Sequence, residues 1–341
     1  MTSHLYCLHR GSLGDENVYA TQLLNNSWQP DEQMKNFLSA AGPAAIAYQG
    51  LVYVVYRGKQ GDPRLWWFTI DPSVGSVSDS QPFPASQSDE GPALGIYAGT
   101  LYCVHKGNSD NYLWYSSFDT GSQTWSADQP FTKNNRTNCA PALISWNNQL
   151  YCVHKGATDN KLWWCQFVGN DFTADTEFSA GNETASPPAL AVYQNNIICA
   201  YRGANGDTQL YTSTFNGSTW TAGVPIGGSA SNSGPGLAVF NNTLYCVHIG
   251  EKNISGSDIA KVAVGTTVAV VGAMTGNGPA AVLGAAGAGQ AAIDISEGGR
   301  DNQLYFTTTS STSLTNLIWS TPAAFQNPCV TSDTPALVAT P

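Results

Sequence analysis

The chain has 341 residues, only 11% of them are charged, and the formal net charge at pH 7 is −10. An acidic surface repels phosphate backbones, so we expect no nucleic acid partner. No run reaches about 18 apolar residues, so neither a membrane-spanning helix nor membrane insertion is predicted. The 34 glycines and the many asparagines are typical of short strands joined by tight turns.

The amino-terminal residues MTSHLYCLHR have neither an apolar core nor a small-residue cleavage site. We therefore expect no classical signal peptide, and a protein that is cytoplasmic or non-classically released. Five of the eight cysteines hold the same place in a repeated phrase, which predicts small buried residues in a reducing compartment and no disulfide framework. These five are Cys7, Cys103, Cys152, Cys199 and Cys246.

A phrase of the form Pro-[Ala/Gly]-[Leu/Ala] divides the chain into repeats. It begins at Pro43, Pro92, Pro141, Pro188, Pro235, Pro279 and Pro335. The first 42 residues begin in mid-repeat, so together with the last seven, which start at Pro335, they make up the seventh repeat. This regular spacing predicts an all-β fold, a single seven-bladed β-propeller over residues 1–341. The predicted blades cover 43–91, 92–140, 141–187, 188–234, 235–278, 279–334, and 335–341 with 1–42.

Each repeat predicts four antiparallel strands. In residues 188–234 they are PALAVY, IICAYRG, LYTSTF and TWTAGVPI, and asparagine-rich pairs supply the positive φ of the tight turns. The carboxyl-terminal PALVATP is then the innermost strand of the amino-terminal blade, and this pairing closes the ring. The tryptophans of the fourth strands are predicted to fill the space between blades, and they are Trp28, Trp125, Trp220 and Trp319.

Residues 259–293, which are rich in Ala, Gly and Val, fit this repeat least well. Pro279 and Asp301 keep the register, so the segment is interpreted as parts of two degenerate blades. Two alternatives stay open. One is an insertion in a six-bladed ring, and the other is a glycine-zipper membrane segment, against which Asn277, Pro279 and Gln290 argue.

A second phrase, LYCVHKGATDNKLWW from Leu150 to Trp164, recurs along the chain. Its aspartate lies in the hairpin between the second and third strands of all seven repeats, including Asp258 and Asp301, and predicts an Asx turn. Its basic residue is absent from the last two full repeats, where Ile249 and Glu297 stand. Because the aspartate persists where the base is lost, the base is predicted to do more than hold the turn.

Base, aspartate and aromatic side chains are expected to meet beside the connection between blades. Carboxylate and guanidinium groups bond sugar hydroxyls, and an aromatic face stacks on a sugar ring. The alternative for the aspartate and the aromatic is a purely structural role in the turn and in packing. The candidate ligand-binding residues are Arg10, Arg57, Lys106, Lys155, Arg202, His9, His105, His154, Tyr56, Tyr19, Trp66, Trp114, Trp163, Tyr211, Asp110 and Asp159. No catalytic residue, metal site or cofactor is predicted.

HKGATDNKLWW and HKGNSDNYLWY, each followed by a PAL phrase, resemble the repeat of the seven-bladed propeller lectins of the Photorhabdus type. Tectonin-like and sialidase-like repeats share part of this pattern. The resemblance implies binding of fucose or related sugars between blades, at fewer than seven sites because the fifth and sixth repeats are eroded. The expected partners are cell-surface or secreted glycans, bound multivalently as by a hemagglutinin, and a homo-oligomer is left open.

Two other functions are weighed against a lectin. A sialidase-like glycoside hydrolase needs two placed carboxylates, whereas the recurring aspartate here is a hairpin residue. A protein-interaction scaffold is favoured by a flat apolar face, but it has no need of the same base, aspartate and aromatic in five blades. The sequence therefore favours a non-catalytic lectin.

Overall fold

The computed structural model describes residues 3–251, 270–271, 281–282, 302–311, 313–314, 317–326 and 329–340. Apart from one short two-stranded pair, the strands of these residues assemble into six antiparallel sheets. Within this part of the chain, no helix is long and apolar enough to cross a membrane.

Each of the six sheets is one blade. Blade I consists of β1 (Leu5–Arg10), β2 (Asn17–Leu24), β3 (Ser27–Trp28), β4 (Glu32–Leu38) and β30 (Ala336–Ala339). Blade II consists of β5 (Ala44–Tyr48), β6 (Leu51–Arg57), β7 (Arg64–Asp71), β8 (Ser76–Val77) and β9 (Gln81–Gln87). Blade III consists of β10 (Ala93–Tyr97), β11 (Thr100–Lys106), β12 (Leu113–Asp119), β13 (Thr124–Trp125) and β14 (Gln129–Pro130).

The second half of the ring has the same construction. Blade IV consists of β15 (Ala142–Trp146), β16 (Gln149–Lys155), β17 (Leu162–Val168), β18 (Asp171–Phe172) and β19 (Thr176–Glu177). Blade V consists of β20 (Ala189–Tyr193), β21 (Asn196–Arg202), β22 (Gln209–Phe215) and β23 (Val224–Ala230). Blade VI consists of β24 (Gly236–Phe240), β25 (Thr243–Ile249), β28 (Leu304–Thr309) and β29 (Ala323–Ala324). The separate pair is β26 (Val270–Val271) with β27 (Ala281–Val282).

The innermost strands of the blades contact one another in a closed cycle, which runs β30, β5, β10, β15, β20, β24 and back to β30. Residues from these strands and from the linkers before them line one central channel. The fold is therefore an all-β, six-bladed propeller around an axial channel.

The predicted number of seven blades is wrong. β25 pairs directly with β28, from Leu244 opposite Thr309 to Ile249 opposite Leu304. The segments 235–278 and 279–334, assigned to two blades from the sequence, thus contribute strands to a single sheet. The open alternative of a six-bladed ring with an insertion agrees with this sheet, because the connection between its second and third strands contains the whole Ala/Gly/Val-rich segment.

The misleading signals all lie in that connection. The phrase at Pro279 imitates the start of a blade, but β26 and β27, the described strands nearest to it, pair only with each other. Pro279, Asp258, Asp301 and Glu297 themselves lie outside the described residues.

The predicted ring closure is confirmed. β30 pairs antiparallel with β1, with Leu5 opposite Ala339 and Leu8 opposite Ala336. The backbone N–H of Thr340 also donates to the carbonyl of His4 at 2.8 Å. The two ends of the chain therefore share one sheet, so no inner edge is left open.

The turns between first and second strands use asparagine as predicted. Asn147 and Asn148 have φ of 48° and 59°, and Asn241 and Asn242 have φ of 46° and 60°. Two successive positive φ values match the right-handed twist of the flanking strands in a two-residue hairpin.

The core is a set of apolar layers, each between two neighbouring blades. Three of the predicted filler tryptophans stack on a phenylalanine of the neighbouring blade. The pairs are Trp28 with Phe325 at 4.5 Å, Trp125 with Phe83 at 4.6 Å and Trp220 with Phe178 at 4.1 Å between ring centroids. All eight cysteines are buried in these layers or beside them. Face-to-face blade packing therefore holds the ring together.

Candidate functional site

The hairpin aspartate organises the turn between the second and third strands. Asp159 Oδ1 accepts the backbone N–H of Lys161 at 3.0 Å, and Asp110 Oδ1 accepts that of Tyr112 at 2.9 Å. The same bond is made at Asp15, Asp62 and Asp207. The predicted Asx turn is thus present in five blades.

The same carboxylate explains why the repeated phrase contains a glycine. A β-carbon added to Gly156 would lie 2.1 Å from Asp159 Oδ1, and one added to Gly107 would lie 2.3 Å from Asp110 Oδ1. Both distances are far below a van der Waals contact. The carboxylate therefore packs directly on the glycine backbone, and the spacing of glycine and aspartate is part of the fold.

The third-strand aromatics bond to the hairpin carboxylates through their polar atoms. The bonds are Tyr19 to Asp15 at 2.8 Å, Trp66 to Asp62 at 3.0 Å, Trp163 to Asp159 at 3.3 Å and Tyr211 to Asp207 at 2.8 Å. Trp114 lies in the same position of blade III, with its Nε1 above Gly107. All five rings are half-buried, so each keeps part of its surface accessible.

These bonds shift the pKa values of the partners. Burial and then the bond to Asp15 raise the pKa of Tyr19 to about 12, and the bond to Asp207 raises the pKa of Tyr211. Hydrogen bonds led by the one from Arg64 hold the pKa of Asp62 below its usual value. The tyrosines stay neutral and Asp62 stays charged at neutral pH, so the hairpin in blade II keeps a fixed carboxylate.

The candidate histidines lie inside the blades. His9, His105 and His154 are 0%, 1% and 0% exposed. Each Nδ1 lies 3.0–3.1 Å from the carbonyl of the next residue, and each Nε2 lies 2.9–3.2 Å from a carboxylate oxygen. The carboxylates belong to Asp31, Asp128 and Asp175 in chain order. Each imidazole is therefore held inside its blade between a backbone carbonyl and a carboxylate, with both ring nitrogens engaged.

Tyr56 takes the histidine position in blade II. It is 3% exposed, and its hydroxyl lies 2.6 Å from Ser80 Oγ. Ser80 occupies the place that an aspartate has in the histidine-containing blades. This relationship has a signal in the sequence that was not recognised there: an aspartate follows the histidine by 21–23 residues in three repeats. These histidines and Tyr56 therefore offer almost no surface to a ligand.

The arginines reach the linkers that lead to the next blade. Arg57 Nε donates to the Ser88 carbonyl at 2.8 Å, and Arg202 Nε donates to the Ser231 carbonyl at 2.8 Å. Arg10 makes a longer bond of 3.4 Å to the Ala40 carbonyl. Each side chain is half-buried, and its contact helps to hold the linker.

The two lysines are buried and have different partners. Lys106 Nζ donates to both carboxylate oxygens of Asp89 at 2.6 Å. Lys155 Nζ donates to the amide oxygen of Asn138 at 3.1 Å. Asp89 and Asn138 hold equivalent positions in successive linkers, so the same ammonium position meets a charge in one blade and a neutral amide in the next.

The base and the aromatic of one blade lie on opposite faces of its sheet. His154 is opposite Trp163 and Lys155 is opposite Leu162, and successive residues of a strand point to opposite faces. The face that carries Trp163 packs against blade III, and the face that carries Lys155 packs against blade V. The base and the aromatic of one blade therefore do not share a groove.

By this alternation, the face of one blade that carries the base and the face of the next blade that carries the aromatic enclose the same groove. The combinations are Arg10 with Trp66, Arg57 with Trp114, Lys106 with Trp163, Lys155 with Tyr211, and Arg202 with Tyr305. In the sixth groove, between blades VI and I, Ile249 replaces the base opposite Tyr19.

The axial channel carries two carboxyl groups that the sequence analysis did not single out. Asp333 accepts the backbone N–H of Gly42 at 2.9 Å and that of Thr334 at 2.7 Å. Burial, together with the charges of Asp333 and Asp89, raises the pKa of Glu90 to about 7. Both residues stand two positions before a blade-start proline, Pro92 and Pro335, where the other four blades have uncharged residues, so the sequence carries only a weak periodic signal for them. In the part of the chain that the structure describes, no group of three His, Cys, Asp or Glu side chains could hold a metal ion.

No protein-family model and no curated protein matches the sequence. Among solved structures, AofleA from Arthrobotrys oligospora superimposes with a TM-score of 0.61 at 10% identity, over 98% of this chain and 85% of that chain. A variant of AofleA with three arginines replaced by alanine gives 0.61 at 11% identity, over 94% and 82% of the two chains. Xyloglucan PUL GH43B of Bacteroides ovatus aligns at 0.45 and 14% identity, over 63% of this chain and 49% of that chain. At these identities, the similarity to AofleA shows a shared propeller fold.

Proposed function

We propose that this chain is a non-catalytic, multivalent lectin that binds glycans in the grooves between adjacent blades. The feature that supports the proposal is the composite groove, which is enclosed by the base-carrying face of one blade and the face of the next that carries a half-buried aromatic, in five successive grooves. The ring and the hairpin carboxylate offer an apolar face and hydrogen-bond acceptors, and the base offers donors. The resemblance to Photorhabdus-type repeats makes fucose and related sugars the first candidates.

Repetition has a physical use in such a protein. A single shallow sugar site typically has a Kd near 1 mM, or about −4 kcal/mol. Several such sites on one rigid ring can gain about 10²–10⁴ in avidity on a glycan-coated surface. Repeating a weak site around a propeller is therefore sufficient for tight binding to cells, without any single deep pocket.

The grooves are not equivalent. The Arg64 guanidinium lies 4.8 Å from the centroid of the Trp66 ring and pairs with Asp62 at 2.8 Å. Among the described residues, no cation lies in this way over Trp114 or Trp163. A sugar that stacks on Trp66 must displace Arg64, so we rank the grooves at Trp114 and Trp163 above the one at Trp66.

The rival function of a glycoside hydrolase has one feature in its favour, which is the pair of carboxyl groups in the axial channel. Both Asp333 contacts are to backbone N–H groups, which fits a brace between linkers. The cavity volume there is about 150 Å³, which is small for a sugar ring. We therefore expect no hydrolysis of chromogenic glycosides by the purified protein, and turnover that Glu90→Gln abolishes would support the rival.

The decisive experiment is a glycan array followed by titration calorimetry with the best free sugar. We expect micromolar to millimolar binding with more than one site per chain. Trp114→Ala and Trp163→Ala should each lower the number of sites, whereas Trp66→Ala serves as the matched control and should change it least. A correctly folded protein with a blank array would overturn the proposal and favour a protein-interaction scaffold.

A further inference from the structure

Blades III and IV contain a natural matched pair of lysines. Lys106 is 5% exposed and lies 2.6 Å from both oxygens of Asp89. Lys155 is 8% exposed, and its one hydrogen-bond partner among the described residues is the neutral Asn138. The two ammonium groups have the same position in their blades, but the linkers beside them differ in charge. Asp89 and Glu90 lie beside Lys106, whereas the uncharged Asn138 and Cys139 hold the equivalent places beside Lys155.

A buried ammonium without a counter-charge is costly. It carries three donors, of which the Asn138 oxygen accepts one, and desolvation disfavours the charged form unless a carboxylate compensates it. In blade III, the carboxylate of Asp89 compensates the charge of the equivalent Lys106. At Lys155 the position of that carboxylate is held by an uncharged amide, which leaves a charge that a ligand can pair.

The surroundings of Lys155 suit a sugar that carries such a charge. Asn138 is exposed, so the ammonium can be approached from solvent along the linker. Lys155 faces blade V, whose half-buried Tyr211 donates to Asp207 at 2.8 Å. Asn160 of blade IV also bonds to Asn205 of blade V at 3.0 Å, so the hairpins of the two blades are joined beside this groove.

Other charged groups act on the same region. Glu90 and Lys155 both influence the thiol of Cys139, whose pKa burial raises to about 12, so this thiol stays neutral. Glu183 accepts a bond from Asn205 at 3.0 Å at the hairpin end of the groove. Neither carboxylate forms an ion pair with Lys155 in the described structure, so the ammonium remains the charge available to a ligand.

We propose that the linker end of blade IV, beside Asn138 and the groove to blade V, binds the carboxylate of an acidic sugar, with Lys155 Nζ as its charge partner. This rests on the proposed lectin function and adds a ligand class to one of its sites. The equivalent groove at Lys106 is closed to such a ligand because Asp89 already supplies the carboxylate. One acidic-sugar site per chain is therefore expected, beside sites for neutral sugars.

The net charge of −10 opposes the approach of an acidic ligand over long distances. Salt screens this repulsion beyond about 8 Å at 0.15 M, but it screens a partly buried ion pair much less. The binding measurement should therefore be made at 0.15 M NaCl, where the local contact dominates.

The test compares sugars that differ only in the acid. Glucuronate is titrated against glucose, and galacturonate against galactose, with the fucose titration as a reference for the other grooves. At least one uronate should bind more tightly than its neutral partner by about tenfold or more, at one site per chain. Neutral sugars that bind with no preference for either uronate would overturn this inference alone. If no sugar binds at all, the proposed lectin function fails with it.

Reciprocal variants locate the site. Asn138→Asp places in blade IV the carboxylate that Lys106 has in blade III, so it should abolish the uronate preference while leaving neutral sugars bound. Asp89→Asn combined with Glu90→Gln removes both carboxyl groups beside Lys106 and should raise the number of uronate sites from one to two. Retention of the preference in Asn138→Asp would refute the assignment.

The melting temperature, measured without ligand, tests the charge state of the two lysine sites independently of binding. Lys155→Met removes an unpaired buried charge and should leave the melting temperature unchanged or raised. Lys106→Met leaves Asp89 unpaired and should lower the melting temperature. Equal losses in both variants would mean that Lys155 is already compensated within the protein, and the proposal would be wrong.

Discussion

His105 Nε2 lies 3.2 Å from Asp128 Oδ2 inside blade III, and this contact ties the second strand to the start of the fourth. Asp128 Oδ1 also accepts the hydroxyls of Ser116 at 2.7 Å and Ser86 at 2.5 Å, and Ser86 belongs to the preceding blade. The histidine that stands out in the repeated phrase is therefore part of a buried polar network. Its role in blade III is to join strands and blades.

Asp128→Asn tests this network. The substitution leaves the imidazole without a charge partner in a buried position, so the free energy of unfolding at pH 7 should fall by about 3 kcal/mol. Urea denaturation at pH 7 measures this free energy of unfolding. The double variant His105→Tyr with Asp128→Ser copies the pair of Tyr56 and Ser80 in blade II and should recover much of the loss. A double variant as unstable as the single one would show that the pairs are not interchangeable.

The loss of stability caused by Asp128→Asn should depend on pH. Burial opposes ionisation of Asp128, but the bond from His105 and the further bonds outweigh it and hold the pKa of Asp128 below its usual 3.8. A carboxylate whose pKa is lowered on folding stabilises the protein at pH values above the pKa of the unfolded chain. This stabilisation is lost as the pH falls through the lower pKa of the folded state. The difference between wild type and Asp128→Asn should therefore be largest at neutral pH and shrink towards pH 3. A constant difference would contradict the ionic role.

Gly156→Ala tests the close approach of the hairpin aspartate. The new methyl group would overlap Asp159 Oδ1, so the turn must shift and the free energy of unfolding should fall by roughly 1–3 kcal/mol. Gly227→Ala is the control, since a β-carbon there meets nothing within 4 Å. Adding Asp159→Ala to Gly156→Ala removes the overlap with the carboxylate and leaves only the 2.9 Å approach to Trp163 Nε1, so the double variant should lose less than the sum of the two single changes. Strict additivity would contradict the packing explanation.

The contribution of Glu90, at the propeller axis, to the free energy of unfolding should have the opposite pH dependence. Its pKa is raised from 4.5 to about 7, so the folded protein favours the neutral form. The stability that this provides is complete below about pH 4.5 and is lost as the pH rises towards 7. Glu90→Gln keeps the neutral form at every pH. It should match wild type at pH 4.5 and be more stable at pH 8 by on the order of 3 kcal/mol. Identical pH profiles would show that Glu90 is not strained in the channel.

The parts of the fold that depend on local, repeated signals could be predicted from the sequence. Asn147 and Asn148 mark a tight hairpin, Asp159 marks an Asx turn, and the PALVATP end marks the closing strand, because each is a short-range pattern with one structural solution. The composite nature of the grooves was implied by the alternation of His154 and Lys155 along β16. It needed the packing of neighbouring blades to show which residues of two blades share a groove.

Other features could not be predicted, for physical reasons. Glu90 and Asp333 share one repeat position, but the other four blades have uncharged residues there, and only the ring geometry shows that both line one channel. The number of blades was misjudged because Pro279 repeats the blade-start phrase at nearly the expected spacing. Strand pairing, not phrase spacing, defines a blade, and the partner of β25 is β28, which follows that phrase.

Six blades imply that the connection between β25 and β28 can be shortened. Replacing residues 251–301 with the four hairpin residues 204–207 of blade V would join Gly250 to Asn302 through a turn that already serves the equivalent strands. Since the six sheets have all their strands without the removed segment, this variant should fold, with a melting temperature close to that of wild type by circular dichroism. Deletion of 141–187, which is one whole blade, is the control and should prevent folding, because the inner strands could no longer form a closed cycle of the same size. If the shortened variant also failed to fold, the removed segment would be needed by the ring, and the six-bladed architecture would have to be revised.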